Sequence, residues 1–187
     1  MWRLRKAGSK IDLRAPAYAN EDAMPIVSLT EAATLLPARG ALMGLDLGTK
    51  TIGVAVSDPD RRLAAPVETI ARRRFGDDAA RLFALAGERR VAGYVLGLPI
   101  NMDGSEGPRA QATRAFARNL AKLTELPIAL WDERLSTAAV ERTLIEADVS
   151  RDKRKAVIDQ HAAAYILQGA LDRLLILSRE AGKGDRP

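Results

Sequence analysis

The stretch that most constrains this chain is Leu42-Met43-Gly44-Leu45-Asp46-Leu47-Gly48-Thr49-Lys50, followed at once by Thr51-Ile52-Gly53-Val54-Ala55-Val56-Ser57-Asp58. Two apolar runs of strand length joined by a short Gly-containing turn predict an antiparallel hairpin. The first run carries a single acid, Asp46. A carboxylate in the middle of an interior strand is costly unless something pairs with it, and a metal ion is the usual partner. The alternative is a structural Asp capping a turn, although charged residues are almost never fully buried alone.

The rest of the chain supplies an α/β context for the hairpin. Ser28 to Leu36 reads as a short helix, with Ser28 or Thr30 as N-cap and Pro37 as stop. After the hairpin, Ala64 to Ile70 reads as a third strand whose Pro66 suggests an edge or a strand start. Asp77 to about Arg90 is amphipathic, and Val91 to Pro99 is a buried-type strand running into the loop Ile100 to Pro108. A helix from about Arg109 to Leu123, a strand Pro127 to Trp131, a helix from Ser136 or Thr137 to about Ala147 and a last helix from about Arg151 to Ser178 complete the order. A hairpin-led set of three antiparallel strands, then two parallel strands with helical crossovers, is a ribonuclease H-like order: a mixed five-stranded sheet flanked by helices.

Residues 26–40 are therefore a helical lead-in, 41–178 the folded domain and 179–187 a flexible tail. Residues 1–25, which open on Met1-Trp2-Arg3-Leu4-Arg5-Lys6 and show no apolar periodicity, are expected to be disordered or loosely packed. The composition break there makes Met24 a candidate start. No apolar core of a secretory signal is present, and no stretch approaches the roughly 18 apolar residues of a membrane span.

Two further acids stand in unusual places. The apolar stripe of the last helix runs through Ala162, Ala163, Ile166, Ala170, Leu174 and Leu177, and counting back one turn lands on Asp159. A rim salt bridge with Arg151, Lys153, Arg154 or Lys155 is the alternative reading of Asp159. The other place is Trp131-Asp132-Glu133-Arg134, where a strand ends and a helix begins, and ligand groups gather at such strand ends. Strand alternation lets one of Asp132 and Glu133 face inward. Glu133 is the first choice and Asp132 is held in reserve; either could equally be the acidic first turn of the helix.

Three carboxylates from separate elements, in a chain with no cysteine, make a hard-oxygen site suited to Mg²⁺ or Mn²⁺. Like charges brought together repel, so Asp46, Glu133 and Asp159 call for a cation. A net charge of +5, with clusters such as Arg72-Arg73-Arg74, favours a polyanionic partner such as nucleic acid, although each cluster alone reads as a solvated loop or helix end. Metal-assisted phosphodiester hydrolysis joins the two features. Gly48, Thr49 and Lys50 are then candidate phosphate contacts, as is Asn101 in the glycine-bounded loop that also holds Asp103, while Arg134 could orient the acids or touch phosphate. For the glycines, turn geometry is the plainer reading. His161, two residues from Asp159, falls on a different helix face, where a surface or interface role is the simpler one.

The ordered set Gly44 to Asp58, Gly97-Leu98-Pro99-Ile100-Asn101-Met102-Asp103-Gly104 and Asp132-Glu133-Arg134-Leu135-Ser136-Thr137 resembles the YqgF (RuvX) family, over about residues 41–175. The resemblance implies a ribonuclease H-like, metal-dependent nuclease of the cytoplasm that matures the 5′ end of 16S rRNA. It implies Asp46, Glu133 and Asp159 as the acids, and pre-16S rRNA or branched DNA, with ribosomal particles, as partners. Gln160 and His161 after Asp159 depart from the small apolar residues common there. Two other classes compete. A sugar- or acetate-kinase-like phosphotransferase also opens on an Asp-x-Gly-Thr hairpin, but it needs a second related domain, and this chain has no second such hairpin. The other is a non-catalytic ribosome-assembly or nucleic-acid-binding factor on the same scaffold. The residues fit RNA and DNA, and endonucleolytic and exonucleolytic cutting, equally well, and no feature specifies an oligomeric state.

Overall fold

The computed structural model describes residues 26–135 and 151–183, with side chains of the last helix described over 161–181. The expectations for residues 1–25, for the helix from Ser136 or Thr137 to Ala147 and for the last four residues lie outside that range. The elements are β1 (Ile26–Val27), α1 (Leu29–Leu35), β2 (Ala41–Leu47), β3 (Thr51–Ser57), β4 (Ala64–Ala71), α2 (Phe75–Arg89), β5 (Val91–Leu98), α3 (Pro108–Ala121), β6 (Ile128–Asp132) and α4 (Arg151–Lys183).

Among the described residues the strands form one sheet in the order β1-β6-β5-β2-β3-β4. β2, β3 and β4 pair antiparallel, while β5 lies parallel to β2 and β6 parallel to β5. This is the ribonuclease H-like arrangement, with β4 and its Pro66 at one edge as a strand proline requires. It departs from the five-stranded expectation by one strand: Ile26 and Val27 pair parallel with Ile128 and Ala129. Two residues carry no periodic signal of their own, and β6 supplies the pairing. The lead-in helix that follows opens on a capping box. Ser28 Oγ accepts from the Glu31 amide at 3.1 Å and Glu31 Oε2 accepts from the Ser28 amide at 2.8 Å.

Both faces of the sheet are covered, which is why the central strands read as nearly continuous apolar runs. Met43, Leu45, Ile52, Val54, Tyr94 and Leu96 pack against Leu82, Leu85 and Ala86 of α2 and Phe116, Ala117 and Leu120 of α3. On the other face Leu42, Ala55, Val95 and Trp131 pack against Ala163, Ile166, Leu167, Ala170 and Leu171 of α4. Helix α4 rests almost directly on β2: a Cβ built on Gly44 would come 2.6 Å from Leu167 Cβ and 2.8 Å from the Ala163 carbonyl oxygen. The contacts Leu167 over Gly44 and Ala163 over Gly53 run α4 antiparallel to β2, so its N-terminal half points toward the end of the sheet that carries Asp46. The helix continues to Lys183, five residues beyond the expected end at Ser178. Among the described residues no helix is long and apolar enough to cross a membrane.

Candidate active site

Strands β2, β5 and β6 are parallel, so their carboxyl ends lie along one edge, and the acids cluster there. Asp46 lies on the α4 side of the sheet, two residues on from Gly44, with Gly53 as its cross-strand partner on β3. On the other side its neighbour is β5, where Leu45 pairs with Leu96 and Gly97 is the next residue. Asp46 is thus flanked by two glycines, which clear the sheet face around it.

Glu133, at the start of the helical backbone after β6, fills the clearing over Gly97. A Cβ on Gly97 would lie 2.6 Å from Glu133 Oε1, 3.2 Å from its Cγ and 2.5 Å from Ile166 Cδ1. One strand spacing, about 4.8 Å, separates the strand beneath Glu133 from the strand that carries Asp46. The electrostatics agree: burial, then the Asp46 charge and to a smaller degree Asp132, pushes the Glu133 carboxyl up to about 7, with Arg109 of the first turn of α3 pulling the other way. Glu133 is therefore one of a coupled pair of carboxylates.

Asp132 is differently placed. Its Oδ1 accepts from the Arg134 amide and Nε, each at 3.0 Å, and its Oδ2 from Arg134 Nη2 at 2.6 Å, which holds its carboxyl below the usual carboxylate range. Arg134 also donates from Nη1 to the Asn101 carbonyl at 3.4 Å, so the strand end that carries the acids is tied to the 99–107 loop. Within that loop Asn101 uses its side-chain amide on Ser105 Oγ at 2.9 Å, and Asp103 Oδ1 accepts from the Ser105 amide and hydroxyl at 2.9 and 2.6 Å. Gly104 adopts φ +85° to close the loop, a conformation that favours glycine. Asn101 and Asp103 thus shape the loop from inside.

The hairpin turn sits on the same edge. Thr49 and Lys50 are exposed, and Gly48 is followed so closely by Thr51 that a Cβ would lie 3.0 Å from the Thr51 carbonyl oxygen. Ser57 and Asp58, at the other end of β3, take no part in this edge. Ser57 Oγ accepts from the Leu42 amide, and Asp58 accepts from the amides of Asp60, Arg62 and Leu63.

Asp159 falls within α4, one turn before Ala163, which packs over Gly53 beside Asp46. Its side chain lies outside the described residues. Among those described, no group of three His, Cys, Asp or Glu side chains forms a metal cage. Asp46 and Glu133 are the two that could share a cation, since both are oxygen donors and their mutual repulsion is what a cation relieves. His161 is not part of this pair; its ring meets Tyr165 edge-on, with centroids 6.3 Å apart.

Sequence reasoning missed Arg109, and it saw Arg72 only as part of a basic cluster. The signal for Arg72 was available: the end of an antiparallel third strand has to return to the turn of the hairpin it pairs with.

A family model described as RuvX, Holliday junction resolvase, matches residues 40–173. The chain belongs to the RuvX family. Two curated relatives in this family carry the description "Putative pre-16S rRNA nuclease". One, from Rhodopseudomonas palustris (strain BisB5), is 74% identical over 83% of this chain and 97% of its own length. The other, from Bradyrhizobium sp. (strain BTAi1 / ATCC BAA-1182), is 75% identical over 83% and 96%. Among solved structures, T. thermophilus RuvC in complex with a Holliday junction substrate is similar at 12% identity and a TM-score of 0.46, over 70% of this chain and 91% of that one.

Proposed function

We propose that this protein is a divalent-metal-dependent nuclease of the cytoplasm that processes the 5′ end of pre-16S rRNA, working on ribosomal precursor particles. The observation that carries the reading is the pair Asp46 and Glu133, two carboxylates held over a glycine-cleared sheet face at the carboxyl ends of parallel strands. The naming of the RuvX relatives supports the RNA substrate.

Asp46 and Glu133, with Asp159 as the third acid, would hold Mg²⁺ or Mn²⁺. A bound divalent ion supplies polarisation of the scissile phosphodiester and neutralisation of its developing charge. The chain's own residues do the rest. Water adds to phosphorus, the bond to the leaving oxygen breaks, and that oxygen takes a proton. Arg109, whose charge bears on Glu133, and Lys50, exposed in the turn that follows β2, would neutralise phosphates on either side. Arg134 orients the acid-bearing strand end through its pairing with Asp132, and Gly48 and Thr49 let the backbone approach. The tie from Arg134 to Asn101 keeps the loop and the acid-bearing strand end in register.

The test is cleavage of an RNA carrying the 16S 5′ leader, with Mg²⁺ or Mn²⁺, by wild type and Asp46→Asn. Specific leader removal that Asp46→Asn abolishes while binding survives is expected. Equal cleavage by both proteins would overturn the site, and binding without cleavage by wild type would leave the assembly-factor reading in its place. The family description favours a second reading, resolution of branched DNA, so a four-way DNA junction is the parallel substrate. Mapping 16S 5′ ends after depletion, with rescue by wild type or Asp46→Asn, decides between the two in the cell.

A further inference from the structure

Arg72 brackets the hairpin turn beside Asp46 from the far side. It follows directly on β4, and its backbone amide donates to the Lys50 carbonyl at 2.9 Å while its Nη1 donates to the Gly48 carbonyl at 2.8 Å. Both outer carbonyls of the Gly48-Thr49-Lys50 turn are therefore held by one residue that is 24 positions from Gly48. Arg72 is itself anchored. The amide of the next residue, Arg73, donates at 3.0 Å to Oδ1 of Asp78 in α2, a carboxylate only 2% exposed.

This geometry fixes the direction of one amide. A trans peptide is planar, with its C=O and N–H pointing opposite ways. The Gly48 carbonyl points at Arg72, which lies at the end of β4, two strands from β2. The N–H of the same peptide unit, that of Thr49, therefore points away from the β4 edge, toward the side of β2 where β5 and Glu133 lie. An unconstrained Gly–Thr peptide could turn over, since glycine tolerates either orientation. The close contact at Gly48 excludes a side chain there but does not by itself choose the orientation. Arg72 chooses it.

We infer that Arg72 is a positioning residue which, by holding the Gly48 and Lys50 carbonyls, aims the Thr49 backbone N–H at a substrate phosphate beside the Asp46–Glu133 pair. This rests on the reading of that pair as a phosphodiester site. It assigns Arg72 a role separate from that of Lys50: Lys50 meets the phosphate as a charge, whereas Arg72 acts through the peptide it holds.

The test uses the full chain without divalent ions and a short 5′-phosphorylated RNA duplex as probe. In ¹H–¹⁵N spectra of wild type the Thr49 amide is expected to move downfield as RNA is added. In Arg72→Met that movement is lost and the dissociation constant rises about tenfold, while Arg72→Lys, which can still reach a carbonyl, recovers part of both. The slope of log affinity against log salt separates positioning from direct contact. A direct phosphate contact contributes about 0.9 to that slope, so Arg72→Met is expected to change it by less than half of that, and Lys50→Met by the full amount. Arg89→Met, which removes a positive charge at the end of α2, is expected to behave as wild type.

A Thr49 amide that responds equally in Arg72→Met, or a salt slope that falls by a full contact, overturns the inference. If Arg72→Met unfolds, Arg72→Lys carries the same amide and slope tests alone. A wild-type protein that cleaves in an Asp46-dependent way while its Thr49 amide ignores RNA defeats only this inference. One that shows the Arg72-dependent amide response yet cleaves nothing defeats only the nuclease reading.

Discussion

Glu133 occupies the space that a side chain at Gly97 would need: a Cβ there would stand 2.6 Å from Glu133 Oε1 and 2.5 Å from Ile166 Cδ1. The glycine in β5 is thus part of the site, although it carries no chemistry. It lets the acid that follows the next strand lie down against the sheet beside Asp46, and it lets α4 approach. Gly97→Ala is expected to displace both side chains and destabilise the protein by about 1–3 kcal/mol, as overpacking does. Any remaining activity should fall at least tenfold. Gly53→Ala, on the other flank of Asp46, meets only ordinary contacts at 3.4 and 3.5 Å and should stay within about 1 kcal/mol of wild type. Urea unfolding of the two variants checks the contrast, and equal behaviour would contradict this account of the clearing.

The raised Glu133 carboxyl sets a pH dependence of stability. Its ordinary value of 4.5 is lifted to about 7 in the folded protein, first by burial and then by the Asp46 charge. Between those values the native state binds the proton and the unfolded state does not, so stability falls as pH rises from about 4.5 to 7. The ceiling on that loss is about 3 kcal/mol, reduced by the partial exposure of the group. Glu133→Gln should remove this component. Its stability relative to wild type, measured by urea unfolding in a chelator, is therefore expected to be higher at pH 8 than at pH 5. A difference between the two proteins that does not change with pH would refute the coupling.

Asp46 was legible in the sequence because an acid in an apolar strand has no local explanation. The hairpin, the succession of the five strands from Ala41 onward and the boundaries of α2 and β5 followed from periodicity and turn residues, to within one or two positions, while β1 did not. The choice between Asp132 and Glu133 was harder to read, for a physical reason. Alternation says that neighbours face opposite sides, but only the β5–β6 register and the empty space at Gly97 say which of the two meets Asp46. The Arg134 clamp on Asp132 is equally invisible to periodicity, because a side chain two residues away can fold back or point outward. Arg72 illustrates the same limit over a longer range. Three consecutive arginines read as a solvated cluster until the antiparallel return of β4 sets the first of them against Gly48.

A cation shared by the coupled carboxylates should stabilise the fold in proportion to its binding. At a concentration about a hundred times its dissociation constant, a single site adds roughly 2.7 kcal/mol. Mn²⁺ or Mg²⁺ is therefore expected to raise the melting temperature at pH 8. The gain should shrink toward pH 5.5, where the proton on Glu133 competes with the ion. Asp46→Asn and Glu133→Gln should each lose most of the gain, whereas Asp60→Asn, in the β3–β4 connection, should keep it. Scanning fluorimetry with and without chelator reads all of these, and a gain that survives both site substitutions would place the ion elsewhere.

Ser57 and Asp58 belong to the same sequence block as Asp46 yet work at the other end of β3, and this separates folding from chemistry within one motif. Asp58 accepts three backbone amides, from Asp60 at 3.0 Å, Arg62 at 2.8 Å and Leu63 at 2.7 Å, which hold its carboxyl below the usual range and close the connection to β4. Ser57 Oγ accepts from the buried Leu42 amide at 2.9 Å and donates to the Asp58 carbonyl at 2.8 Å. Asp58→Ala hands those three exposed amides to water and loosens the turn, and is expected to destabilise by about 1 kcal/mol. Because the turn lies away from the carboxyl ends of β2, β5 and β6, the variant assayed below its melting temperature should keep its cleavage rate within about twofold of wild type. Asp46→Asn should show the reverse, with stability kept or raised as a repelling charge leaves Glu133 and cleavage lost. Paired melting curves and leader-cleavage rates for the two variants measure this crossing directly, and a loss of cleavage in folded Asp58→Ala would bring the far end of the hairpin into the chemistry.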